Sequence, residues 1–124
     1  GGAPAYNYLF TLDFPMNGGK PAWHCSDIPF AFRNTAMIPV CWIPGVTERL
    51  EEQLSAAFIQ FARTGDPGHP LLPAWPPCAP GSLATMVLDE HCEVRVNFDK
   101  ALYEAFLPVA PNPAMLNQDA IVLH

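Results

Sequence analysis

Fifteen of the 124 residues are prolines, about twice the usual ~5 % share, and each bars the interior of a helix or the middle of a sheet at its own position. Regular structure is confined to the stretches between them. Because the prolines are mixed with aromatic and aliphatic residues, and half of the chain is apolar, the sequence reads as ordered, loop-rich chain and not as a polar low-complexity tract. A chain of this length supports one modest hydrophobic core. One domain, or a piece of a larger one, is expected.

Near the N-terminus, "YNYLFTLD" puts Tyr6, Tyr8, Phe10 and Leu12 on one face and Asn7, Leu9, Thr11 and Asp13 on the other, the period-2 pattern of a strand over residues 5–13. Pro15, Asn17, Gly18, Gly19 and Pro21 follow as a loop. Ser26 is expected to cap a short helix with Asp27 and Pro29 in its first turn, ending about Phe32. The segment from Arg33 to Gly45, punctuated by Pro39 and Pro44, reads as a buried, irregular connection. Thr47 should cap the strongest helix, with Glu48 in its first turn, Leu50, Leu54, Phe58 and Phe61 on the buried side, and Gly65 as its stop. Glu51, Glu52, Gln60 and Arg63 fall on its opposite, solvated side. After a run of turns, "TMVLD" and "CEVRV" read as two short strands, a hairpin turning at Glu90 and His91. Asn97 is expected to cap a last helix, Phe98 to about Phe106. From Pro108 onward no period is visible, so residues 108–124 form a tail, disordered or docked.

Twelve acidic against six basic residues give a formal charge of −6, which offers no basic stripe to a phosphate backbone or an anionic lipid surface. Neither nucleic acid nor a membrane is an expected partner. Cys25, Cys41, Cys78 and Cys92 form no C-x-x-C pair, and buried or half-buried reduced thiols in a reducing, cytoplasmic setting fit them best. No pair among His24, His69, His91 and His124 has the spacing of a metal site. No apolar run approaches the ~18 residues of a membrane span, and the N-terminal residues lack a signal peptide's charged and apolar regions. His69 and His91, beside Gly68 and Glu90, read as solvated turn residues.

One stretch concentrates reactive side chains: "WHCSDIPF", Trp23 to Phe30. On residue type alone, a loop histidine bonded to backbone is the favoured reading of His24 over an acid–base group. A neighbouring imidazolium can lower a thiol pKa, but adjacent residues of extended chain project in different directions, so Cys25 is a poor candidate nucleophile. Ser26 and Asp27 have structural work at a helix start. Of the three tryptophans, whose usual fate is packing, Trp23 beside His24 is the candidate for substrate contact.

The order of a Tyr-rich strand, a Gly-containing loop, "HCSDIPFAFR", "FARTGDP" with a later "AWPP", and "TMVLDEHC" resembles the C-terminal part of the type-B carboxylesterases. This α/β-hydrolase family includes para-nitrobenzyl esterases and cholinesterases. The family's histidine stands in a pattern like H-G-x-E-[IL]-P-[YF]-x-F-G, which the chain matches at His24, Ile28, Pro29, Phe30 and Phe32. It departs where Cys25 and Arg33 take glycine positions and Asp27 that of a glutamate; at Cys25 the family glycine suggests a limit on space. Phe61 to Pro67 with Trp75-Pro76, and Thr85, Met86, Leu88, Asp89 and Cys92, match two further motifs. Together the three cover roughly residues 5–107.

The resemblance implies an α/β fold, the C-terminal segment of an α/β-hydrolase over residues 1–107, whose first strand joins a mainly parallel sheet. It implies ester hydrolysis by acyl transfer with no metal or organic cofactor, in which a serine attacks, a histidine moves the proton and an acid orients the imidazole. Chain order in that fold is Ser, acid, His, with the serine in G-x-S-x-G. Ser26, Ser55 and Ser82, the only serines, stand in no such motif. His24 is therefore implied as the acid–base, with Ser26 and Asp27 supporting its loop and the serine, triad acid and oxyanion donors upstream. Expected partners are an ester substrate in the complete enzyme, and the N-terminal remainder of the hydrolase or a second copy against open sheet edges. The competing reading is an inactive fragment acting only through protein contacts.

Overall fold

A computed structural model describes residues 2–109. Strand β1 spans Asn7–Phe10, helix α1 Ile28–Ala31, helix α2 Thr47–Thr64, strands β2 and β3 Ala84–Leu88 and Glu93–Val96, and helix α3 Lys100–Phe106. The strands form one mixed sheet in the order β1-β2-β3. β1 runs parallel to β2, with Tyr8 opposite Met86, and β2 runs antiparallel to β3, with Met86 opposite Val94. The expected hairpin is present. The expected nine-residue strand shortens to four, although Thr11 N–H still reaches Leu88 O at 3.0 Å.

β2 is buried along its whole length, which marks it as the central strand. Tyr6 just before β1, and Tyr8 and Phe10 within it, turn inward to the core that holds Leu50, Leu54, Ala57 and Trp75, while Asn7 and Leu9 face out. Phe10, Phe14 and Phe30 extend this core beneath the loop between β1 and α1, with Phe10 and Phe30 ring centres 5.1 Å apart.

Helix α2 ends as expected at Gly65, whose φ of 79° is left-handed and whose N–H bonds Phe61 O at 2.8 Å. Its start differs. Val46 occupies the N-cap, and buried Thr47 lies one residue inside, where its hydroxyl donates to Cys41 O at 2.6 Å and accepts from Ile43 N–H at 2.8 Å. A hydroxyl expected to satisfy the helix is drawn back to the preceding turn. Asn97 behaves alike: its amide accepts from Leu83 N–H and donates to Gly81 O, and α3 begins after Asp99 at Lys100.

Two faces also depart from expectation. Phe58 and Phe61 are nearly half exposed, so the buried side of α2 ends at Ala57. Glu51 is drawn inward, its Oε1 accepting from both the N–H and the hydroxyl of buried Thr35. The segment from Arg33 to Gly45 buries Thr35 and Cys41 and leaves Met37 80 % exposed, so it is irregular but largely superficial. Val109 ends a 3-10 turn, and the tail expectation beyond it lies outside the described residues. No helix among the described residues is long and apolar enough to cross a membrane.

Candidate active site

The histidine turn is built by the loop that leaves β1. Phe14 and Lys20 exchange two backbone hydrogen bonds at 2.7 and 2.8 Å, closing residues 14–20 into a knot whose return is made by Gly18 and Gly19 at positive φ. Pro21 leads out of it to Trp23, whose ring lies 4.7 Å from that of buried Phe14. Ser26 N–H then bonds Trp23 O at 3.0 Å, making Trp23–Ser26 a four-residue turn. His24 is its second residue, with the ring in solvent. Among the described residues no hydrogen bond engages that ring.

Cys25, the third residue of the turn, has φ of 67°, the left-handed conformation that type II turns place there and that favours glycine. Its side chain is exposed, which corrects two expectations. This thiol is not buried, and the glycine-like position reflects backbone conformation, not shortage of space.

Ser26 turns inward and is buried. It does not cap α1, since Asp27 holds the N-cap position and makes no side-chain capping bond. The Asp27 carboxylate is engaged elsewhere: Tyr8 Oη donates to its Oδ2 at 2.7 Å. Burial first, then the hydrogen bond and the charge of Asp27, push the Tyr8 phenol up to about 12. It stays a protonated donor through the neutral range.

The short helix is closed by a Schellman arrangement. Arg33 N–H reaches Phe30 O at 3.4 Å and Asn34 N–H reaches Pro29 O at 3.0 Å, with Arg33 between them at φ of 54°. That is the position where glycine is favoured. The two left-handed residues that bracket α1 are the two at which the sequence departs from the glycines of the esterase pattern.

The structure thus presents Trp23 and His24 side by side on the surface, folds Ser26 inward and turns Asp27 toward β1. It does not bring a serine, or an acid for the imidazole, to His24 among the described residues. No cluster of three or more metal-ligating side chains occurs among them either. His69, expected in solvent, is half-buried and bonded through Nε2 to Gln53 O at 3.0 Å, while Leu71 N–H donates to its Nδ1. Among the described residues, a cleft of about 150 Å³ walled by Tyr6, Tyr8, Phe58, Phe61 and Trp75 is apolar; another, of about 410 Å³, takes Phe14, Pro15 and Gly19 from the loop and has Asp13, Asp89 and Glu90 among its walls. His24 lines neither.

Tyr8 was not among the expected site residues. The one signal for it was a tyrosine at an inward position of β1, whose hydroxyl needs a partner when its ring is packed. Nothing local points to Asp27 as that partner.

No protein-family model matches the chain. A phenmedipham hydrolase from Pseudarthrobacter oxydans is 38 % identical over 98 residues, covering 73 % of this chain and 20 % of the hydrolase. Among solved structures, an esterase from Clostridium hathewayi that can hydrolyse aliphatic aromatic polyesters is 48 % identical. It superposes with a TM-score of 0.80 over 85 % of this chain and 21 % of its own. A carboxylesterase from Geobacillus stearothermophilus gives a TM-score of 0.70 at 27 % identity, over 82 % of this chain and 22 % of its own. The likeness to a thermophilic PNB esterase, with a TM-score of 0.74 at 22 % identity, is one of fold. The chain spans about a fifth of the length of these relatives.

Proposed function

Since the chain is related in sequence and fold to the carboxylesterases, PNB esterases among them, we propose that it is the C-terminal segment of an α/β-hydrolase that cleaves carboxylic esters, with His24 as its acid–base. The observation that carries this reading is the histidine turn: an imidazole held at the tip of an anchored four-residue turn, its ring exposed and unengaged among the described residues.

In this role a serine Oγ contributed by the rest of the hydrolase adds to the ester carbonyl while its proton passes to an imidazole nitrogen of His24. The imidazolium then protonates the departing alkoxide, and the acyl-enzyme forms. In the second half His24 takes a proton from water as its oxygen adds to the acyl carbonyl, the acyl–serine C–O bond then breaks to release the carboxylic acid, and the proton returns to the serine Oγ. On this reading Trp23, exposed beside His24, contacts substrate. Asp27 supports the turn from α1 and does not orient the imidazole, and Ser26 packs beneath it.

The test replaces the matching fifth of the Clostridium hathewayi esterase by this chain and follows hydrolysis of a nitrophenyl ester. Activity should depend on His24, with His24→Ala losing on the order of 10⁶ in turnover. The 124-residue chain alone should not exceed its His24→Ala control. A swap enzyme whose turnover survives His24→Ala would overturn the assignment.

A specific observation favours a second reading, a fragment that acts by association. β1 is paired on one edge only among the described residues, and Phe32 and Met37 are 76 % and 80 % exposed. Such surfaces seek cover, from the rest of a hydrolase or from another copy. Light scattering on a dilution series distinguishes these readings: a concentration-dependent dimer favours self-association, and a stable monomer refutes it.

A further inference from the structure

We propose that Tyr8 is a positioning residue for His24, holding the histidine turn in place through its hydrogen bond to Asp27. The inference rests on His24 being the acid–base and adds a residue that neither the sequence pattern nor the relatives assign.

The turn has two anchors, one on each side of His24. On the N-terminal side Trp23 lies against Phe14, which is buried and fixed by its paired bonds to Lys20. On the C-terminal side stands Asp27. α1 has a single turn, so it is too short to be stable by itself, and its first residues need an external hold. Tyr8 provides it, with Oη 2.7 Å from Asp27 Oδ2. Its own ring is set edge-on against Phe58 and Trp75, with centres 6.0 and 6.5 Å away. Its backbone is in register with Met86 of the central strand. The phenol is therefore a rigid donor on the sheet, aimed at a carboxylate on the loop.

The hold is needed because the turn carries strain. A non-glycine residue in the left-handed region costs roughly 1–2 kcal/mol, and Cys25 sits there at φ of 67° between the two anchors. Release of Asp27 would let Cys25 relax to negative φ and swing His24, which no described hydrogen bond restrains. Since a charge-assisted hydrogen bond is the stronger kind, one phenol suffices to keep the imidazole in one place. The high pKa of Tyr8 agrees with a phenol that keeps its proton for this bond.

Amide hydrogen exchange on the 124-residue chain tests the hold directly. Ser26 and Ile28 donate within the turn, to Trp23 O and Cys25 O, whereas Leu50 donates within α2. Tyr8→Phe should speed exchange at Ser26 and Ile28 about tenfold, the loss expected of one hydrogen bond to a charged group, and leave Leu50 unchanged. Asp27→Ala should match it, the double variant should be no worse, and Asp27→Asn, which keeps an acceptor, should restore most of the protection. Faster exchange at Leu50 as well, or none at Ser26 and Ile28, overturns the proposal. In the swap esterase, Tyr8→Phe should lower kcat about tenfold at unchanged KM; an unchanged kcat also overturns it. His24→Ala reports separately on the acid–base assignment, and the exchange result stands whatever that variant does.

Discussion

Glycine at the two left-handed positions around α1 should stabilise the chain, although both substitutions remove a side chain. Cys25 and Arg33 have φ of 67° and 54°, both side chains are exposed, and neither makes a hydrogen bond among the described residues. Relief of the left-handed backbone is worth about 1–2 kcal/mol per site, and the greater freedom of unfolded glycine takes back about 0.5–1 kcal/mol. The net gain is roughly 0.5–1 kcal/mol for each of Cys25→Gly and Arg33→Gly. Together they should give about 1–2 kcal/mol, or a rise in Tm on the order of 4–8 °C for a domain of this size. Urea and thermal unfolding followed by circular dichroism read the change. Cys25→Ala and Arg33→Ala are the controls, since they remove the thiol and the guanidinium yet keep Cβ; they should gain nothing. Gly65→Ala is the inverse. Its φ is 79° and an added Cβ would meet nothing within 4 Å, so the backbone alone should make it lose about 1 kcal/mol. If alanine stabilises position 25 or 33 as much as glycine does, the gain comes from the lost side chain and the conformational reasoning fails.

Other expectations can be checked on the same chain. Thr47→Val removes two short hydrogen bonds, a buried one to Cys41 O and a part-buried one from Ile43 N–H, and should cost about 2 kcal/mol in urea unfolding; a loss under 0.5 kcal/mol would mean water replaces them. The Tyr8 phenol is raised in the folded chain from the ordinary 10.0 to about 12, so the folded state binds the phenolic proton more tightly than the unfolded state. That contribution is whole below pH 10 and lost as pH rises through 12; a pH series should show stability falling across this window, and Tyr8→Phe should flatten that part of the profile. Mass spectrometry after brief iodoacetamide treatment should find exposed Cys25 modified first. Cys41, buried and with its thiol pKa pushed up by burial, should stay unmodified until denaturant is added; equal labelling of both would refute the packing around Cys41.

Much of the fold was legible because it is local. The alternation in "YNYLF", the spacing of Leu50 and Leu54, the Gly65 stop and the hairpin all depend on neighbours within a few residues. Polar side chains at element starts were read less well. Ser26, Thr47 and Asn97 each fit a capping position, but Ser26 is buried, Thr47 serves Cys41 and Ile43, and Asn97 serves Gly81 and Leu83. A short hydroxyl or amide has several backbone groups in reach, and tertiary packing chooses among them. Hydrophobic period likewise identifies Phe58 and Phe61 as apolar-face residues without saying what covers them. At the site, the pattern around His24 points to it as the expected acid–base, while the Tyr8–Asp27 bond joins residues 19 apart and leaves no local trace.

The pairing of β1 with β2 sets a timetable. Asn7 and Thr85, bonded through their side chains at 2.8 Å, are 78 positions apart, and the parallel ladder between their strands encloses both α1 and α2. At the usual ~5–20 residues per second of synthesis, β1 waits roughly 4–16 s for its partner to be made. Through that interval Tyr8 lacks the central strand β2 beside it, and the loop carrying His24 lacks the support of that pairing. The histidine turn is therefore among the last parts of the chain to acquire its shape. A lesion in the distant strand Ala84–Leu88 should disturb it as surely as one beside it.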